Sequence, residues 1–495
     1  MGHPLRSALL LGALIGLACF PRTQEREESP WEDPAPPQVN ELPAHEASEP
    51  AVYPELLRVS EPRPLAEGAR VEDWPAFLGP RRDAHSSETH LDLSFGSDGP
   101  RLLWRAESGE GWASPIVVDG ILVHTHRVGR EIHVDGLEPE TGLRRWRFSY
   151  PTSYRPRYVS DSGPRATPAA AEGRVVLYGP SQELYCLELV SGRVLWQRDL
   201  AAEFGALEDF FGAVCSPLIH EGRVYLNMGT PGPCVAAFDL ESGRLLWGGG
   251  PDWGPSCASP ALANLAGRET LLVVAGGESR PPTGGLVGLD PRTGEQLFTH
   301  PFRSRTYESV NGATPLAIGD SVLITASYNT GTSLVDIDAE AGLTRRWHDR
   351  HVGFEFATPL LHEGLVYAVD GVRERSSELV CIDPADGEER WRQDVFFTET
   401  IEVGGQEREH DFALGSGTLM WAGERLIALG DYGHLAVYAL GDEGAELESV
   451  AWLFSAVQTW TPPVLSHGLL YVRQIKPARY HDAQPALYCY DLRAQ

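Results

Sequence analysis

The sequence has almost no lysine, and its acidic residues greatly outnumber its basic ones. Lys476 is the single lysine of the 495 residues, and 41 Lys and Arg stand against 69 Asp and Glu, a formal charge of −28. Because nucleic-acid binding needs clustered Lys and Arg against phosphates, this composition excludes a basic nucleic-acid footprint. No run of eighteen apolar residues occurs, so we expect no membrane-spanning helix in the mature protein.

Motifs for several kinds of chemistry are also missing. The chain has no Gly-rich phosphate loop, no His-Glu-x-x-His motif and no Ser-His-Asp order, so we assign no catalytic residue and no metal ligand. None of the seven cysteines is adjacent to another. Glycine (52) and proline (38) are in excess, and such turn formers favour many short strands.

The N-terminus reads as an export signal. Arg6 and the apolar run 8–18 predict a signal peptide over residues 1–18, and the cut after Ala18 leaves Cys19 at the mature N-terminus. Leu17-Ala18-Cys19 resembles the end of a bacterial lipobox, although Gly16 departs from its pattern. We therefore predict lipidation at Cys19 and a protein that is periplasmic or anchored to the outer membrane, with plain secretion as the alternative.

The segment that follows is rich in Pro and Glu. Such a composition buries too little apolar surface to offset chain entropy, so residues 19–72 are expected to be a flexible linker. The remaining residues, 73–495, contain a repeat.

One repeated element is Asp/Glu-x-x-x-Gly followed by an aromatic residue four or five positions later. The six copies are 138–142 with Trp146, 188–192 with Trp196, 239–243 with Trp247, 290–294 with Phe298, 338–342 with Trp347, and 383–387 with Trp391. The glycine accepts the positive φ of a tight turn, and we expect the ring to seal one unit against its neighbour.

A second element, Ser/Thr-Pro, precedes each copy and leads through a Gly turn into an alternating strand. Its prolines are Pro115, Pro168, Pro217, Pro260, Pro315, Pro359 and Pro462, and a degenerate copy stands at Gly417-Thr418-Leu419. Four strands in each 45–50 residues predict an all-β, eight-bladed β-propeller of four-stranded blades. The last blade has no room for its outer strand, and Arg101–Arg105 is predicted to supply it and close the ring.

The Asp/Glu-x-x-x-Gly turns with their aromatic residues, following the Ser/Thr-Pro strands, resemble the repeats of PQQ-like, quinoprotein-type propellers. Residues 163–196 are especially similar to that repeat, and 73–83 (DWPAFLGPRRD) resemble the lead-in of a bacterial secreted subset with BamB-like repeats. The resemblance covers about 73–495 and implies the fold, whereas such a fold carries many functions.

The resemblance implies three classes of function. We favour a non-enzymatic scaffold of the cell envelope that binds a protein or a small or polymeric ligand at the propeller's loops, as in BamB-type lipoproteins. The alternatives are a PQQ- and calcium-dependent alcohol or sugar dehydrogenase and a polysaccharide-binding module. Alcohol-oxidising relatives carry a vicinal disulfide that is absent here, but sugar-oxidising ones do not, so the enzyme stays open.

Candidate binding residues lie on the loops between blades. Loops 149–165, 302–312 and 396–412 carry Arg and aromatic side chains, which recognition surfaces favour. Arg165, Asn311 and Trp460 are the expected channel groups, and Asn311 is the one asparagine placed to help hold calcium. We expect no cofactor, with PQQ and calcium as the alternative.

Histidines and cysteines give weaker signals. His124, His126 and His133 could form a metal cluster, but we favour exposed polar positions on a strand edge. Cys186, Cys381 and Cys489 are expected to be small buried side chains. A Cys215–Cys257 disulfide is a further hypothesis.

The closure of the ring is testable by truncation. Deleting residues 99–107 should abolish folding, because the last blade then loses its outer strand and exposes an edge. Thermal unfolding of the truncated protein checks this, and an unchanged melting profile would disprove the closure.

Overall fold

The computed structural model describes residues 56–157, 161–206, 211–229, 234–277, 282–307, 309–340, 342–371, 377–475 and 485–494. The predicted signal peptide, Cys19 and the first part of the predicted linker lie outside these residues. None of the helices in the described part is long and apolar enough to cross a membrane.

Four-stranded antiparallel sheets repeat along the chain, and each begins with its innermost strand. Ahead of them stand β1 (Leu56–Arg58), β2 (His85–Ser86) and β3 (Arg101–Glu107). Blade 1 comprises β4 (Ile116–Val118), β5 (Ile121–Val128), β6 (Glu131–Leu137) and β7 (Arg144–Pro151). Blade 2 comprises β8 (Ala169–Ala171), β9 (Arg174–Tyr178), β10 (Glu183–Glu188) and β11 (Val194–Asp199), followed by the helix α1 (Leu200–Phe204). Blade 3 comprises β12 (Leu218–His220), β13 (Arg223–Asn227), β14 (Val235–Asp239) and β15 (Leu245–Gly249).

The second half of the ring repeats this plan. Blade 4 comprises β16 (Ala261–Leu265), β17 (Arg268–Ala275), β18 (Gly285–Leu289) and β19 (Gln296–Pro301). Blade 5 comprises β20 (Leu316–Ile318), β21 (Ser321–Ala326), β22 (Gly331–Asp338) and β23 (Gly342–Asp349). Blade 6 comprises β24 (Leu360–His362), β25 (Leu365–Gly371), β26 (Ser377–Ile382) and β27 (Glu389–Asp394), followed by a hairpin of β28 (Phe396–Val403) and β29 (Gln406–Ala413). Blade 7 comprises β30 (Thr418–Ala422), β31 (Arg425–Leu429), β32 (His434–Gly441) and β33 (Gly444–Trp452), and blade 8 begins with β34 (Val464–Ser466), β35 (Leu469–Gln474) and β36 (Ala486–Asp491).

The eighth blade closes the ring as predicted. Strand β3 pairs antiparallel with β36, with Trp104 opposite Cys489, so the outer strand of the last blade comes from the beginning of the domain. The all-β, eight-bladed propeller is confirmed. We call the side with the Gly turns between first and second strands the turn face, and the side with the connections between blades the loop face.

Tryptophan side chains join successive blades at five seams. In each, the indole Nε1 donates to the backbone oxygen of the second residue of the next blade's Asp/Glu-x-x-x-Gly turn. The bonds are Trp104–Pro139 (2.9 Å), Trp146–Leu189 (3.0 Å), Trp196–Leu240 (3.0 Å), Trp247–Pro291 (3.1 Å) and Trp347–Pro384 (2.9 Å). The predicted sealing of one blade by the ring of another is therefore confirmed at these seams.

The turn glycine is required by this docking. At Gly243 φ is +69°, and a Cβ there would lie 2.6 Å from the ring of Trp196 in the preceding blade. Any side chain would therefore be strained in its backbone and would also push the ring away.

The Ser/Thr-Pro element forms a second set of links nearer the axis. The Ser114 N–H donates to Thr167 Oγ1 (3.1 Å), Thr167 N–H to Ser216 Oγ (3.0 Å), Ser216 N–H to Ser259 Oγ (3.0 Å), and Thr314 N–H to Thr358 Oγ1 (3.1 Å). The hydroxyl of one blade thus satisfies a backbone donor of the blade before it.

Residues 73–88, which we call the axial plug, cross the channel at the turn face. The plug contacts blades 1, 2, 3, 6, 7 and 8. In that order, the contacts of plug residues with blade residues are Trp74 with Val117, Pro75 with Ala170, Arg82 with Ile219, His85 with His362, β2 with β30, and Glu88 with His467. The lead-in recognised in the sequence therefore fills one end of the axis.

The predicted linker extends too far toward the propeller. Residues 56–72 lie against blade 8, where Leu56 pairs with Ala106 and Arg63 donates to both Asp491 and the backbone of Arg493. These contacts join distant parts of the chain, and the composition of the segment does not reveal them.

Candidate functional site

Arg165, predicted as a channel residue, holds two loops together on the loop face. Its guanidinium donates to the backbone oxygens of Phe211 and Asp161, both at 3.0 Å, and lies 4.6 Å from the ring centroid of Trp112. Because these donors already bond backbone acceptors, Arg165 acts first as a clamp between the loops before blade 2 and before blade 3.

Trp460 belongs to a ladder of stacked rings beside the axis. Its ring lies 5.6 Å from Trp112 at an interplanar angle of 19°, and 4.5 Å from Phe356 at 17°. With Arg165 over Trp112, the ladder joins side chains that precede blades 1, 2, 6 and 8. Such stacking fixes the loops relative to one another.

Asn311 stands apart from this ladder. It is buried in the left-handed region (φ +48°), which asparagine tolerates, and its side-chain nitrogen donates to the backbone oxygen of Gly276 at 2.6 Å. Asn311 thus ties the loop before blade 5 to blade 4. The structure joins Arg165 and Trp460 through Trp112 and places Asn311 elsewhere on the loop face.

A small cavity lies on the axis between the plug and the ladder. Its volume is about 60 Å³, and Phe77 and Leu78 of the plug line it together with Phe356, Thr418 and Trp460. Thr418 Oγ1 and Trp460 Nε1 have no hydrogen-bond partner among the described residues. The cavity therefore suits a few water molecules.

This cavity does not fit PQQ with calcium. Sites that enclose a small ligand have volumes of roughly 300–1,000 Å³, and calcium needs six to eight oxygen ligands with carboxylates among them. The cavity is several times smaller, no carboxylate lines it, and the Asn311 amide is not among its lining groups. No chemical step can be derived through that cofactor here.

The expectation that the blade 1 histidines are exposed is wrong. His124 and His126 are each only 2% exposed, and residues 108–110, which follow β3, pack against β5 through Ser108 with His124 and Gly109 with His126. His126 Nδ1 accepts the Gly109 N–H at 2.7 Å, so its Nε2 carries the proton and donates to Asp135 at 2.9 Å. Arg147 donates to both oxygens of Asp135.

In this network the neutral imidazoles of His124 and His126 lie beside the ion pair of Asp135 and Arg147. Burial holds the pKa of His124 well below its ordinary value, and burial also lowers the pKa of His126. Burial alone would raise the pKa of Asp135, but hydrogen bonds from His126 and Arg147 outweigh it and hold that pKa well below its ordinary value. The cluster joins blade strands and is not arranged as a metal site.

The expected burial of three cysteines is confirmed, whereas the hypothesis of a disulfide is wrong. Cys186, Cys381 and Cys489 are fully buried, and each lies opposite the tryptophan of its blade's outer strand, where a small residue fits. The Cys215–Cys257 disulfide is absent, since both cysteines are free, and the Cys215 thiol donates to the backbone oxygen of Asn227 at 3.3 Å. Burial raises the pKa of Cys215 to about 12, so it is not a reactive thiolate.

The predicted loop 396–412 is a β-hairpin that projects from the loop face. Strands β28 and β29 pair only with each other among the described residues, and Gly404 and Gly405 form the turn with φ of +63° and +79°. The alternation of FFTETIEV and the Gly-Gly pair are signals that could have identified this hairpin from the sequence. We call β28 and β29 the hairpin arm.

A buried histidine anchors the arm to blade 7. His434 is fully buried and stacks between Phe397 of the arm (4.7 Å) and Trp452 (5.4 Å), while Phe412 lies 5.5 Å away. Burial lowers the pKa of His434 to about 3, so it stays neutral at physiological pH. The arm therefore rises from a rigid aromatic base.

Sequence reasoning missed Trp112 and Phe356, although the repeat contains a signal for both. Each stands two residues before the Ser or Thr of a Ser/Thr-Pro element, as does Arg165. Residues at that offset from three different blades meet in one ladder.

Comparisons with known proteins agree with this architecture. The family model described as outer membrane protein assembly factor BamB matches residues 130–393. A BamB of Yersinia pestis is 27% identical over 143 residues, which cover 28% of this chain and 34% of that protein, so the match spans about a third of the relative's length.

Solved structures show the same fold at low identity. BamB from Moraxella catarrhalis has a TM-score of 0.53 and 13% identity, covering 79% of this chain and 100% of that one. Quinohemoprotein alcohol dehydrogenase from Comamonas testosteroni has a TM-score of 0.58 and 15% identity, covering 86% of this chain and 81% of that one. At such identities the likeness shows the fold alone.

The buried Asp135 network gives a pH-dependent prediction. Asp135→Asn should lower the free energy of unfolding by about 3 kcal/mol at pH 7, because Arg147 loses its buried partner. The folded pKa lies below the unfolded value of about 3.9, so this contribution is complete above about pH 5 and declines as the pH falls. Urea unfolding at pH 7 and pH 3 should show a loss smaller by about 1 kcal/mol at pH 3.

The control is Glu131→Gln on the same strand, whose side chain is 60% exposed. It should change stability by less than about 0.5 kcal/mol. An equal loss for Asp135→Asn at both pH values would contradict the assignment.

Proposed function

The chain belongs to the PQQ-repeat family described as outer membrane protein assembly factor BamB, and from that membership we propose a non-enzymatic protein-interaction scaffold of the cell envelope. The partner would bind on the loop face. The turn face is the less suitable side of the axis, because the plug crosses it.

The observation that carries the proposal is the hairpin arm. Its outer edges have no strand partner in the described part of the chain, and Phe396 is 49% exposed. Unpaired edges accept an added strand, which is a common mode of peptide recognition. A rigid hairpin standing on a closed ring is thus suited to docking another polypeptide.

The charge of the arm defines the chemistry of that partner. Five acidic side chains, at positions 399, 402, 407, 409 and 411, stand against one basic residue, Arg408. A complementary surface would carry Lys or Arg, and charge complementarity speeds association and excludes acidic competitors.

The N-terminal expectations complete the proposal. A signal peptide at residues 1–18 would direct export and then be removed, and lipid on Cys19 would hold the protein at a membrane surface in the periplasm. These residues lie outside the described structure and enter here as part of the proposal.

Site-specific photocrosslinking tests the scaffold function. A photoreactive amino acid at Thr400, exposed on the arm, should yield one discrete adduct in intact cells, and one at Glu241, exposed on the turn face, should not. Changing Glu402, Glu407, Glu409 and Asp411 to their amides should weaken formation of that adduct more than tenfold. The matched control changes Glu241, Glu295, Glu340 and Glu388 on the turn face, with the same change of net charge. Equal adducts from both faces, or equal effects of both quadruple variants, would contradict the proposal.

A second measurement addresses the dehydrogenase alternative. The full chain is incubated with PQQ and Ca²⁺, and absorbance and dye-linked oxidation of alcohols and sugars are recorded. We expect neither a bound quinone spectrum nor turnover, because the axial cavity is too small. Turnover with a quinone spectrum would overturn the non-enzymatic assignment.

A further inference from the structure

Three metal-ligating side chains meet on the turn face where blade 3 adjoins blade 4. His220 ends β12, Glu221 follows in the turn, and Glu269 lies near the start of β17. The potential ligand atoms of the three lie within 4.8 Å of one another, and His220 Nε2 is 2.9 Å from Glu269 Oε1. Two blades therefore contribute to one cluster.

Glu269 lies on an extension of the first hairpin of blade 4. The first strand of this hairpin, β16, has five residues, whereas the first strand of blade 3, β12, has three. Leu271, which pairs with the residue before the Asp/Glu-x-x-x-Gly turn, holds the buried position that Val224 holds in blade 3. Glu269 stands two residues before Leu271, its side chain is 37% exposed, and from this extension it reaches His220.

The other two residues occur twice in the ring. His220-Glu221-Gly222 in blade 3 matches His362-Glu363-Gly364 in blade 6. In blade 6 the imidazole stacks on Trp421 of the next blade at 3.6 Å between ring centroids. The second copy therefore has the same His and Glu but an aromatic neighbour where the first has a carboxylate.

The surroundings leave the cluster open to solvent. The His220 and Glu221 side chains are 33% and 50% exposed. Arg292 lies 3.4 Å from Glu221 Oε2 but is itself 65% exposed, so it can turn away, and Arg223 lies 4.0 Å from the same oxygen. A cation has access from the turn face.

We propose that His220, Glu221 and Glu269 bind a divalent transition-metal ion that links blades 3 and 4. One imidazole nitrogen and two carboxylate oxygens suit Zn²⁺, with water in the fourth position. Imidazole and carboxylate ligands favour such ions over Ca²⁺ and Mg²⁺, which prefer sites made wholly of oxygen. The proposed metal site depends on neither the family membership nor the scaffold function.

Calorimetric titration of the full chain with Zn²⁺ tests the site. We expect one binding event for the unchanged protein, accompanied by a higher melting temperature. Glu269 lies outside the core of blade 4 with its side chain 37% exposed, and valine favours strands, so Glu269→Val should fold normally. It should weaken Zn²⁺ binding more than about tenfold, since even residues behind the ligands change affinity 10–100-fold.

The duplicated motif supplies the matched control. Glu221→Gln should weaken binding, whereas Glu363→Gln in blade 6 should leave it unchanged. X-ray absorption of the Zn²⁺ complex should show nitrogen and oxygen at about 2.0–2.1 Å and no sulfur at about 2.3 Å, which separates this site from the buried cysteines.

Three results would overturn the proposal. They are the absence of Zn²⁺ binding, binding that Glu269→Val leaves unchanged, and a sulfur shell in the absorption spectrum. The first would reduce the cluster to a His220–Glu269 hydrogen bond, and the other two would place the ion elsewhere.

Discussion

The docking of a tryptophan ring on the turn glycine of the next blade is the contact on which the ring depends. A buried aromatic side chain removes roughly 150–250 Å² from water, which at about 25 cal/mol/Å² stabilises by about 4–6 kcal/mol as an upper bound. The indole hydrogen bond adds about 1 kcal/mol. Burial of the ring therefore contributes most of the stabilisation at each of these seams. The glycine matters because it lets the ring lie flat on the backbone.

The remaining architecture follows from closing that ring. Strand β3 brings Trp104 to the last seam, and the axial plug fills the turn-face end of the channel. The ladder beside Trp460 narrows the axis from the other side and leaves a cavity of about 60 Å³. A filled axis and an exposed hairpin arm favour binding through the loop face over chemistry in the channel.

The sequence predicts the features that the repeat encodes. Blade number, the closing strand and the role of Trp196 follow from spacing, because the same packing of a ring on a turn recurs at five seams. Features that depend on contacts between distant segments were missed: the pairing of Leu56 with Ala106, the burial of His126 beside the segment that follows β3, and the ladder through Trp112. Arg165 was found by its residue type, but its carbonyl partners, and hence its clamping role, depend on how two loops meet.

Ring docking, rather than the turn conformation alone, accounts for the glycine at the end of the Asp/Glu-x-x-x-Gly turn. Gly243 and Gly222 lie in the same blade with φ of +69° and +67°, but a Cβ at Gly222 meets nothing within 4 Å. Unfolding of Gly222→Ala and Gly243→Ala by denaturant separates the two causes. We expect Gly222→Ala to lose about 1–2 kcal/mol of unfolding free energy from backbone strain, and Gly243→Ala to lose about 1–3 kcal/mol more from overpacking against Trp196. Equal losses would show that the ring contributes nothing to the requirement for glycine.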